Sequence, residues 1–358
     1  NICLQCGTCN TVCGGKLDIA GMILKLRTKF AQEDGLNPVH KFCLDTVADR
    51  HLFHSMLRIA SVAQGMITKG QPMIRHLPMF LSGLTAGRSL PSVAPQPFRD
   101  ILPTIKQDVP NPKGKIAIFT GCLLDFVYVD IATDVVKALN MAGYIVEMPL
   151  GQACCGAPAT YMGDVENAKK AAEMNLNAME AEKYDYIVSA CPTCTHALRD
   201  YVDFFKDDPE MLKKAEELRS KTFDFCKLVS MLGGLPDTGD GVPMKVTYHD
   251  SCHLNRYLGV TKEQRELLKA TKGVELIEMH DCDKCCGFGG SYSVKFPEMS
   301  APILEEKINN IVASGADVVA VDCPGCLLQI RGGLDARGLN NIQVKHTAQI
   351  VVEKREKK

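Results

Sequence analysis

The chain has 358 residues and a hydrophobic content of 46%, which allows two or three domains with apolar cores and excludes a disordered tail. Its formal net charge of −1 provides no field that would steer it toward nucleic acid or an anionic membrane, so we predict no nucleic-acid partner. Seventeen cysteines in a chain of this size do not fit a small secreted disulfide framework, and we interpret them as metal ligands in the reducing cytoplasm.

The first element is a cysteine motif at the start of the chain. Cys3, Cys6, Cys9 and Cys13 have the spacing C-x2-C-x2-C-x3-C, which is typical of a ferredoxin-type loop around a [4Fe–4S] cubane. A zinc site or free thiols are the alternatives, but zinc sites usually bring two separated pairs of ligands. In paired ferredoxin modules the fourth cysteine ligates the neighbouring cluster, so we expect Cys13 to reach toward a cluster whose other ligands lie outside this sequence. Gly14 stands where such motifs usually have proline.

Two further features of this region bear on the motif. The chain opens at Asn1 without a methionine and is inside the motif by Cys3, so we expect it to be a fragment with missing upstream sequence. Cys43 is a candidate substitute ligand, although a lone cysteine after a hydrophobic residue more often belongs to a core, and we favour the core.

Helical patterns follow the motif. Ile19, Met22, Ile23 and Leu26 have helical spacing, and a second helical stretch covers residues 46–63. An apolar segment follows at 73–84. For its residues 76–84 we favour inter-domain packing over an amphipathic membrane contact, because no basic face accompanies them. A linker is then predicted by six prolines that neither a helix nor a central strand tolerates: Pro91, Pro95, Pro97, Pro103, Pro110 and Pro112.

From Lys115 onward the pattern changes to short buried strands that alternate with longer helices, which indicates an α/β fold. Strands are predicted at 116–120, 144–148 and 186–190, and again at 245–249, 274–279 and 316–321. The second set repeats the first at a distance of about 131 residues, since Cys122, Cys154 and Cys191 are followed 130, 131 and 132 residues later by Cys252, Cys285 and Cys323. A gene duplication is the simplest explanation of this repeat.

The N-terminal motif, the proline-rich stretch and the repeat together predict four segments in the chain. Residues 1–87 form an N-terminal helical, ferredoxin-like segment and residues 88–114 the proline-rich linker. Residues 115–236 and 237–358 form two duplicated α/β lobes.

Each lobe carries a set of five cysteines with matched spacing: one at a strand end, an adjacent pair, and a C-P-x-C motif. The first set is Cys122, Cys154, Cys155, Cys191 and Cys194, and the second is Cys252, Cys285, Cys286, Cys323 and Cys326. The single cysteine and the first cysteine of C-P-x-C follow the carboxyl ends of predicted strands, where open α/β sheets place their binding crevice. Pro192 and Pro324 suit the first turn of a helix, whose N-terminus stabilises an anionic thiolate cluster.

Five thiolates exceed the four that a cubane needs, so we predict that one or two non-cubane clusters are present. Zinc in one lobe stays open as an alternative, and a thioredoxin-type redox pair is a weaker one. Cys226 and Cys282 fall outside the matched sets. Cys282 is near enough to the adjacent pair to contact a cluster, but we favour a bystander role for it.

Two further features near the cysteines give weaker evidence about the site. His249 and His253 flank Cys252 and are candidates for tuning a cluster or carrying protons, although packing explains them equally well. Gly287, Gly289 and Gly290 miss the dinucleotide spacing, which argues against a nicotinamide site, and we expect them to leave bare backbone near cluster sulfides.

The repeated pattern, together with TGC at 120–122 and YHDSCH at 248–253, resembles the CCG-domain family. That family includes the iron–sulfur subunits of glycolate and lactate oxidation systems and the catalytic subunit of heterodisulfide reductase. The opening CGTCNTVCGGKLDIAGMILKLR resembles the second ferredoxin motif of bacterial lactate-utilisation iron–sulfur proteins. From the reductase, the resemblance implies that each five-cysteine set holds a non-cubane [4Fe–4S] cluster.

The resemblance implies an iron–sulfur electron-transfer subunit of a lactate or other 2-hydroxyacid dehydrogenase complex. We expect a flavoprotein partner that carries the flavin, and other iron–sulfur subunits. The expected location is the cytoplasm, with peripheral association at the inner face of a membrane, through partners, left open. The alternative is an oxidoreductase of the heterodisulfide reductase type that performs thiol/disulfide chemistry at a non-cubane cluster.

Overall fold

A computed structural model describes residues 2–68, 73–74, 89–236 and 241–355 of the chain. The N-terminal segment is helical, with α1 (Thr8–Val12), α2 (Ile19–Glu33), α3 (Pro38–Ala48) and α4 (Arg50–Thr68). The helical stretch predicted over 46–63 is divided between α3 and α4. The cause is Asp49, which has extended backbone and whose carboxylate accepts a hydrogen bond from the Leu52 amide at 3.0 Å, as an N-terminal cap does.

Two four-stranded parallel sheets follow, and their strands have the same order. The first sheet is arranged β4-β3-β5-β6 and the second β8-β7-β9-β10, so each has the order 2-1-3-4 within its lobe. The strands are β3 (Lys115–Ile118), β4 (Ile145–Glu147), β5 (Tyr186–Ser189), β6 (Thr222–Asp224), β7 (Met244–Tyr248), β8 (Val274–Leu276), β9 (Val318–Val321) and β10 (Gln343–His346). The α/β class and the duplication are thereby confirmed, and all six predicted strands are present. A further antiparallel pair joins β1 (Met73–Ile74) to β2 (Leu90–Pro91).

Helices connect the strands of each lobe. In the first lobe they are α6 (Leu123–Phe126), α7 (Val129–Met141), α8 (Ala157–Met162), α9 (Val165–Met179), α10 (Pro192–Asp200), α11 (Pro209–Lys221) and α12 (Phe225–Met231). In the second they are α13 (Glu263–Lys269), α14 (Tyr292–Lys295), α15 (Pro297–Ser314), α16 (Pro324–Ala336) and α17 (Thr347–Glu353). A single π-helical turn covers His253–Tyr257. Short 3-10 turns lie at Leu102–Thr104, Ala181–Lys183 and Tyr201–Phe204.

The two lobes share one apolar core. Helix α17 of the second lobe packs on α7 of the first, and α12 packs on α13. The largest cluster of buried apolar side chains accordingly combines Val135 and Val229 of the first lobe with Leu327 and Val351 of the second. Burying each such side chain contributes about 1.5–3 kcal/mol, so the lobes stabilise one another directly.

The proline-rich segment is packed against this core. It contains the short helix α5 (Phe98–Ile101), and both Phe98 and Leu102 belong to the shared core cluster. Arg99 forms a buried ion pair and hydrogen bonds with Asp125 at the start of the first lobe. The segment therefore lies along the first lobe as part of its fold.

For residues 76–84 we predicted inter-domain packing in preference to a membrane contact, and this segment lies outside the described residues. Within the described ranges, no helix combines the length and apolar character needed to cross a bilayer.

Candidate metal centres

The cysteines of both five-membered sets lie at the carboxyl ends of the central strands. Cys191 directly precedes α10 and Cys323 directly precedes α16, and Pro192 and Pro324 occupy the first turn of these helices as predicted. Such a position exposes free backbone N–H groups and the positive end of the helix dipole to the sulfur atoms. The turn before α6 requires Gly121 for two reasons. Its φ of +57° lies in the left-handed region, and a Cβ added there would lie only 3.1 Å from the Cys194 sulfur.

The structure brings the ten cysteines of the two sets together along one cavity, where each thiol is close enough to the next to shift its pKa. These contacts form a continuous series that runs Cys122, Cys154, Cys155, Cys194, Cys191, Cys323, Cys326, Cys286, Cys285, Cys252. The order in the second half mirrors that in the first. The two sets therefore converge at Cys191 and Cys323, where a sulfur of one lobe neighbours a sulfur of the other.

One thiol in each adjacent pair is the most readily ionised. Hydrogen bonds from Cys154 and Cys194 lower the pKa of Cys155 well below its usual value. In the second lobe, hydrogen bonds from Cys252 and Cys286 do the same for the pKa of Cys285. The pKa of Cys323, before α16, is likewise well below its usual value, because of hydrogen bonds with Cys191 and Cys326. Because metals bind the thiolate form, these three sulfurs are the best prepared for binding a metal.

Both sets open into one cavity of about 980 Å³. Its wall is completed by Cys3 and Arg27 from the N-terminal segment, by Tyr161 from α8, and by His253 and Lys295 from the second lobe. The cavity thus lies where the two lobes and the N-terminal segment meet.

His249 lies immediately after β7, deep in the second lobe. Neither ring nitrogen has a hydrogen-bond partner, although both are buried. Its ring nitrogen and the sulfurs of Cys286 and Cys326 all lie within 4.8 Å of one another. An unsatisfied buried polar group costs about 1–3 kcal/mol, and burial lowers the pKa of His249 to about 3, which leaves a neutral imidazole. Unpaired imidazole nitrogen beside thiols is a donor set that fits a metal ion.

His253 is held by aromatic side chains from both lobes. Its Nε2 lies 2.7 Å from the Tyr161 hydroxyl, its Nδ1 lies 3.6 Å from the Cys252 sulfur, and its ring stacks on Tyr257 with 5.0 Å between centroids. Burial lowers the pKa of His253 to about 4. The π-helical turn makes this arrangement, because it places His253 and Tyr257 on one side of the backbone.

The N-terminal cysteine motif is docked beside this aromatic group. Arg27 of α2 donates hydrogen bonds to the Cys3 carbonyl at 2.6 Å and to the Tyr161 carbonyl at 3.0 Å. The Tyr257 hydroxyl donates to the Gln5 carbonyl at 3.1 Å. The loop is thus tied to α8 of the first lobe and to the π-helical turn of the second. The four motif cysteines, Cys3, Cys6, Cys9 and Cys13, are half-buried.

The remaining cysteines are placed outside the sets. Cys43 is exposed on α3, which corrects the prediction of a core cysteine: the buried face of that helix carries Leu44, Thr46 and Ala48 instead. Cys226 is buried and donates to the Asp322 carboxylate at 3.3 Å. Cys282 donates to Asp250 at 3.4 Å, and burial raises its pKa to about 11, which keeps it protonated.

Lys307 is a residue of the site that the sequence reasoning missed. It is only 1% exposed, and its ammonium donates to the carbonyls of Asp281 at 2.6 Å and Cys282 at 3.2 Å. Its charge interacts with the sulfurs of Cys286 and Cys326. The internal repeat indicates this position, because an offset of 132 residues aligns Lys307 with Asn175 of the first lobe. The Asn175 amide likewise donates to a backbone carbonyl beside the cysteines, that of Cys154, at 2.9 Å.

Comparison with known proteins gives a consistent result. The family profile described as a cysteine-rich domain, CCG, matches residues 116–199 and 246–331. "Lactate utilization protein A" of Shouchella clausii (strain KSM-K16) is 39% identical over 240 residues, which cover 67% of this chain and 99% of that protein. The protein of the same name from Bacillus subtilis (strain 168) is 36% identical over 238 residues, or 66% of this chain and 98% of the relative.

A third relative extends over the N-terminal segment as well. The "Probable glycolate oxidase iron-sulfur subunit" of Bacillus subtilis (strain 168) is 30% identical over 365 aligned residues. The alignment covers 99% of this chain and 82% of that protein.

Proposed function

This chain belongs to the family of CCG cysteine-rich-domain proteins, and from that membership we propose that it is an iron–sulfur electron-transfer subunit of a lactate or other 2-hydroxyacid dehydrogenase complex. The observation that carries the proposal is the continuous series of ten thiols in one cavity beside the N-terminal cysteine motif. The names of the relatives, lactate utilization and glycolate oxidase, support the substrate class and a complex with other subunits.

We assign the cysteines to three centres. The N-terminal motif would hold a ferredoxin-type cubane, and each five-cysteine set a non-cubane [4Fe–4S] cluster. The ligands are Cys3, Cys6 and Cys9 for the first, with Cys13 reaching toward a neighbouring cluster, Cys122, Cys154, Cys155, Cys191 and Cys194 for the second, and Cys252, Cys285, Cys286, Cys323 and Cys326 for the third. When bound, such clusters supply one-electron transfer.

The residues around the proposed ligands favour this role. The N-termini of α10 and α16 stabilise anionic thiolates, and the buried ammonium of Lys307 offsets negative charge in the second lobe. Arg27 and Tyr257 hold the N-terminal motif against the lobes, which keeps the distance between neighbouring centres short. Seven of the ten thiols in the two sets are buried, so the shared cavity is their route of access.

The remaining assignments are proposals of the same kind. Residues 1–87, 88–114, 115–236 and 237–358 are the functional segments. Substrate oxidation takes place on a flavoprotein partner that carries the flavin, and other iron–sulfur subunits complete the complex. The complex works in the cytoplasm and associates peripherally with the inner face of the membrane through its partners.

A second candidate is thiol/disulfide chemistry of the heterodisulfide reductase type. It is favoured by the size of the cavity, about 980 Å³, because both cysteine sets and His253 line a space that admits a small thiol or disulfide. In that case the chain would be an enzyme in its own right.

Anaerobic reconstitution tests these functions. The protein, loaded with iron and sulfide, is mixed with D- or L-lactate with and without the flavoprotein partner, and cluster reduction is followed by absorbance and EPR. Reduction that requires the flavoprotein supports the electron-transfer role. An EPR signal that appears only with an added thiol or disulfide supports the second candidate. Zinc without iron in the purified protein, together with failure to take up iron, would contradict both.

A further inference from the structure

The two lobes differ at one residue that faces the cysteines. Phe119 and His249 both stand three residues before the first cysteine of their sets, an offset of 130 residues. Their backbones are equivalent, since the Phe119 amide donates to the Val188 carbonyl at 2.8 Å and the His249 amide to the Ala320 carbonyl at 3.0 Å. Both side chains are fully buried. Phe119 packs among the cysteines of the first lobe, so the second lobe has an imidazole at the position of a phenyl ring.

The charged groups around His249 are already paired. Lys307 donates to two backbone carbonyls, and Asp250 forms a bidentate ion pair with Arg265 at 3.0 and 2.8 Å. The His249 ring is left with two buried nitrogens that no described group satisfies. A buried imidazole in that state requires an explanation, and a bound metal ion is one.

The distances favour a ligand. On one tetrahedral metal, a sulfur at 2.3 Å and a nitrogen at 2.1 Å are separated by about 3.6 Å. The nitrogen of His249 and the sulfurs of Cys286 and Cys326 lie within 4.8 Å of one another, so small side-chain adjustments would bring all three onto one ion.

We propose that His249 is a direct metal ligand in the second lobe, where it shares one iron with Cys286 and Cys326, so that this lobe has a mixed imidazole–thiolate centre. The first lobe, with Phe119 in its place, has thiolates only. This proposal rests on metal binding by the second cysteine set, as in the proposed function.

The mixed ligand set has a functional consequence. The imidazole adds a neutral donor to a set that keeps all five thiolates, so the two lobes would differ in the coordination of one iron and therefore in their reduction potentials.

The test is pulsed EPR of the reduced, iron-loaded full chain with its histidines labelled with 15N. We expect a strong nitrogen hyperfine coupling that is absent in His249→Phe, the variant that copies the first lobe. His249→Cys should keep the iron content and lose the coupling, and it should shift the potential of that centre to more negative values. His280→Ala is the matched control, since His280 is 81% exposed and should leave the coupling unchanged.

The result that would overturn the proposal is a nitrogen coupling that persists in His249→Phe, or none in a wild-type chain whose second lobe is loaded. If that lobe takes zinc instead of iron, the electron-transfer function fails separately. Zinc K-edge absorption then tests the ligand itself, with one nitrogen scatterer expected in the wild type and lost in His249→Phe.

Discussion

The thiols of Cys191 and Cys323, which are 132 residues apart in sequence and lie in different lobes, are neighbours, and their interaction raises the pKa of Cys191 and lowers that of Cys323. Each is the residue that directly precedes a helix at the end of a central strand. The duplicated lobes therefore meet at equivalent residues.

This contact predicts magnetic coupling between the two centres. In the reduced, iron-loaded chain we expect EPR signals broadened by spin–spin interaction, because Cys191 and Cys323, the proposed ligands of the two centres, are neighbours. Cys191→Ser should reduce the iron content and sharpen the signal of the second lobe. The exposed Cys43→Ser is the control and should change neither, whereas an unchanged line shape in Cys191→Ser would contradict the prediction.

Removing the Tyr161 hydroxyl should lower stability. Tyr161→Phe loses the hydrogen bond of 2.7 Å to His253, and we expect a decrease of about 0.5–1.5 kcal/mol in the free energy of unfolding, measured by denaturant titration. Tyr128→Phe is the matched control, since the Tyr128 hydroxyl is buried and has no partner. That variant should be neutral or more stable, and an equal loss in both would show that the hydrogen bond is not the cause.

Lys307→Met should destabilise the second lobe. The change removes two buried hydrogen bonds to the carbonyls of Asp281 and Cys282, each of which keeps a backbone donor, at a cost of about 0.5–1.5 kcal/mol per bond, and it removes a positive charge near Cys286. We expect a lower melting temperature and a more negative potential for the second centre. Lys183→Ala is the control, because Lys183 is exposed and its ion pair with Glu180 should contribute at most about 1 kcal/mol. A potential that does not move would exclude an electrostatic role of Lys307.

Arg27→Gln should loosen the N-terminal motif. The guanidinium joins the carbonyls of Cys3 and Tyr161, and the shorter amide cannot reach both. We expect slower electron transfer between the N-terminal centre and the lobes in stopped-flow measurements, with unchanged iron content. Lys25→Gln, on the exposed side of the same helix, should leave the rate unaltered.

Stability should fall in mild acid, and His54 is one cause. Burial beside the Phe126 ring and the charge of Arg99 lower its pKa to about 3 in the folded chain, below the unfolded value of 6.5. Since the unfolded state then binds the extra proton, stability is fully present above pH 6.5 and is lost as the pH falls toward 3. The ring is half-buried, so we allow for solvent screening and expect a loss on the order of 1 kcal/mol between pH 7 and 5.

Denaturant titration of the iron-loaded chain at these two pH values measures this loss, and His54→Gln should reduce it. The exposed His280→Gln should not. A pH dependence that is the same in wild type and His54→Gln would contradict the assignment.

The sequence predicted the features that depend on local pattern. The buried strands were recognisable in the sequence as apolar runs. The position of Cys191 and Cys323 between a strand and a helix followed from the predicted strand ends and from the proline after each cysteine. The fourth strand of each sheet was missed, because TFD and QVKH are short and carry polar residues. Such edge strands form through pairing with a neighbour that the sequence pattern does not specify.

Properties that depend on long-range packing were not predictable. The exposure of Cys43 depends on which face of α3 meets the rest of the chain. The hydrophobic residue before it in the sequence wrongly indicated a position in the core. Lys307 is a charged residue on a buried helix face, which single-sequence reasoning assigns to solvent. His249 was recognised as a candidate to tune a cluster, but its unsatisfied nitrogens and its distance to Cys286 and Cys326 required coordinates.

The packing of α17 on α7 has a consequence for the order of events during synthesis. Helix α7 leaves the ribosome early, whereas α17 follows only after both sheets have been translated. Until α17 is made, α7 lacks part of its apolar cover, and until the second lobe is made, the cavity lacks the wall that His253 and Lys295 contribute. Iron should therefore be inserted after translation of both lobes, and a chain truncated before Thr347 should be unable to retain iron in the first lobe although all five of that lobe's cysteines are present.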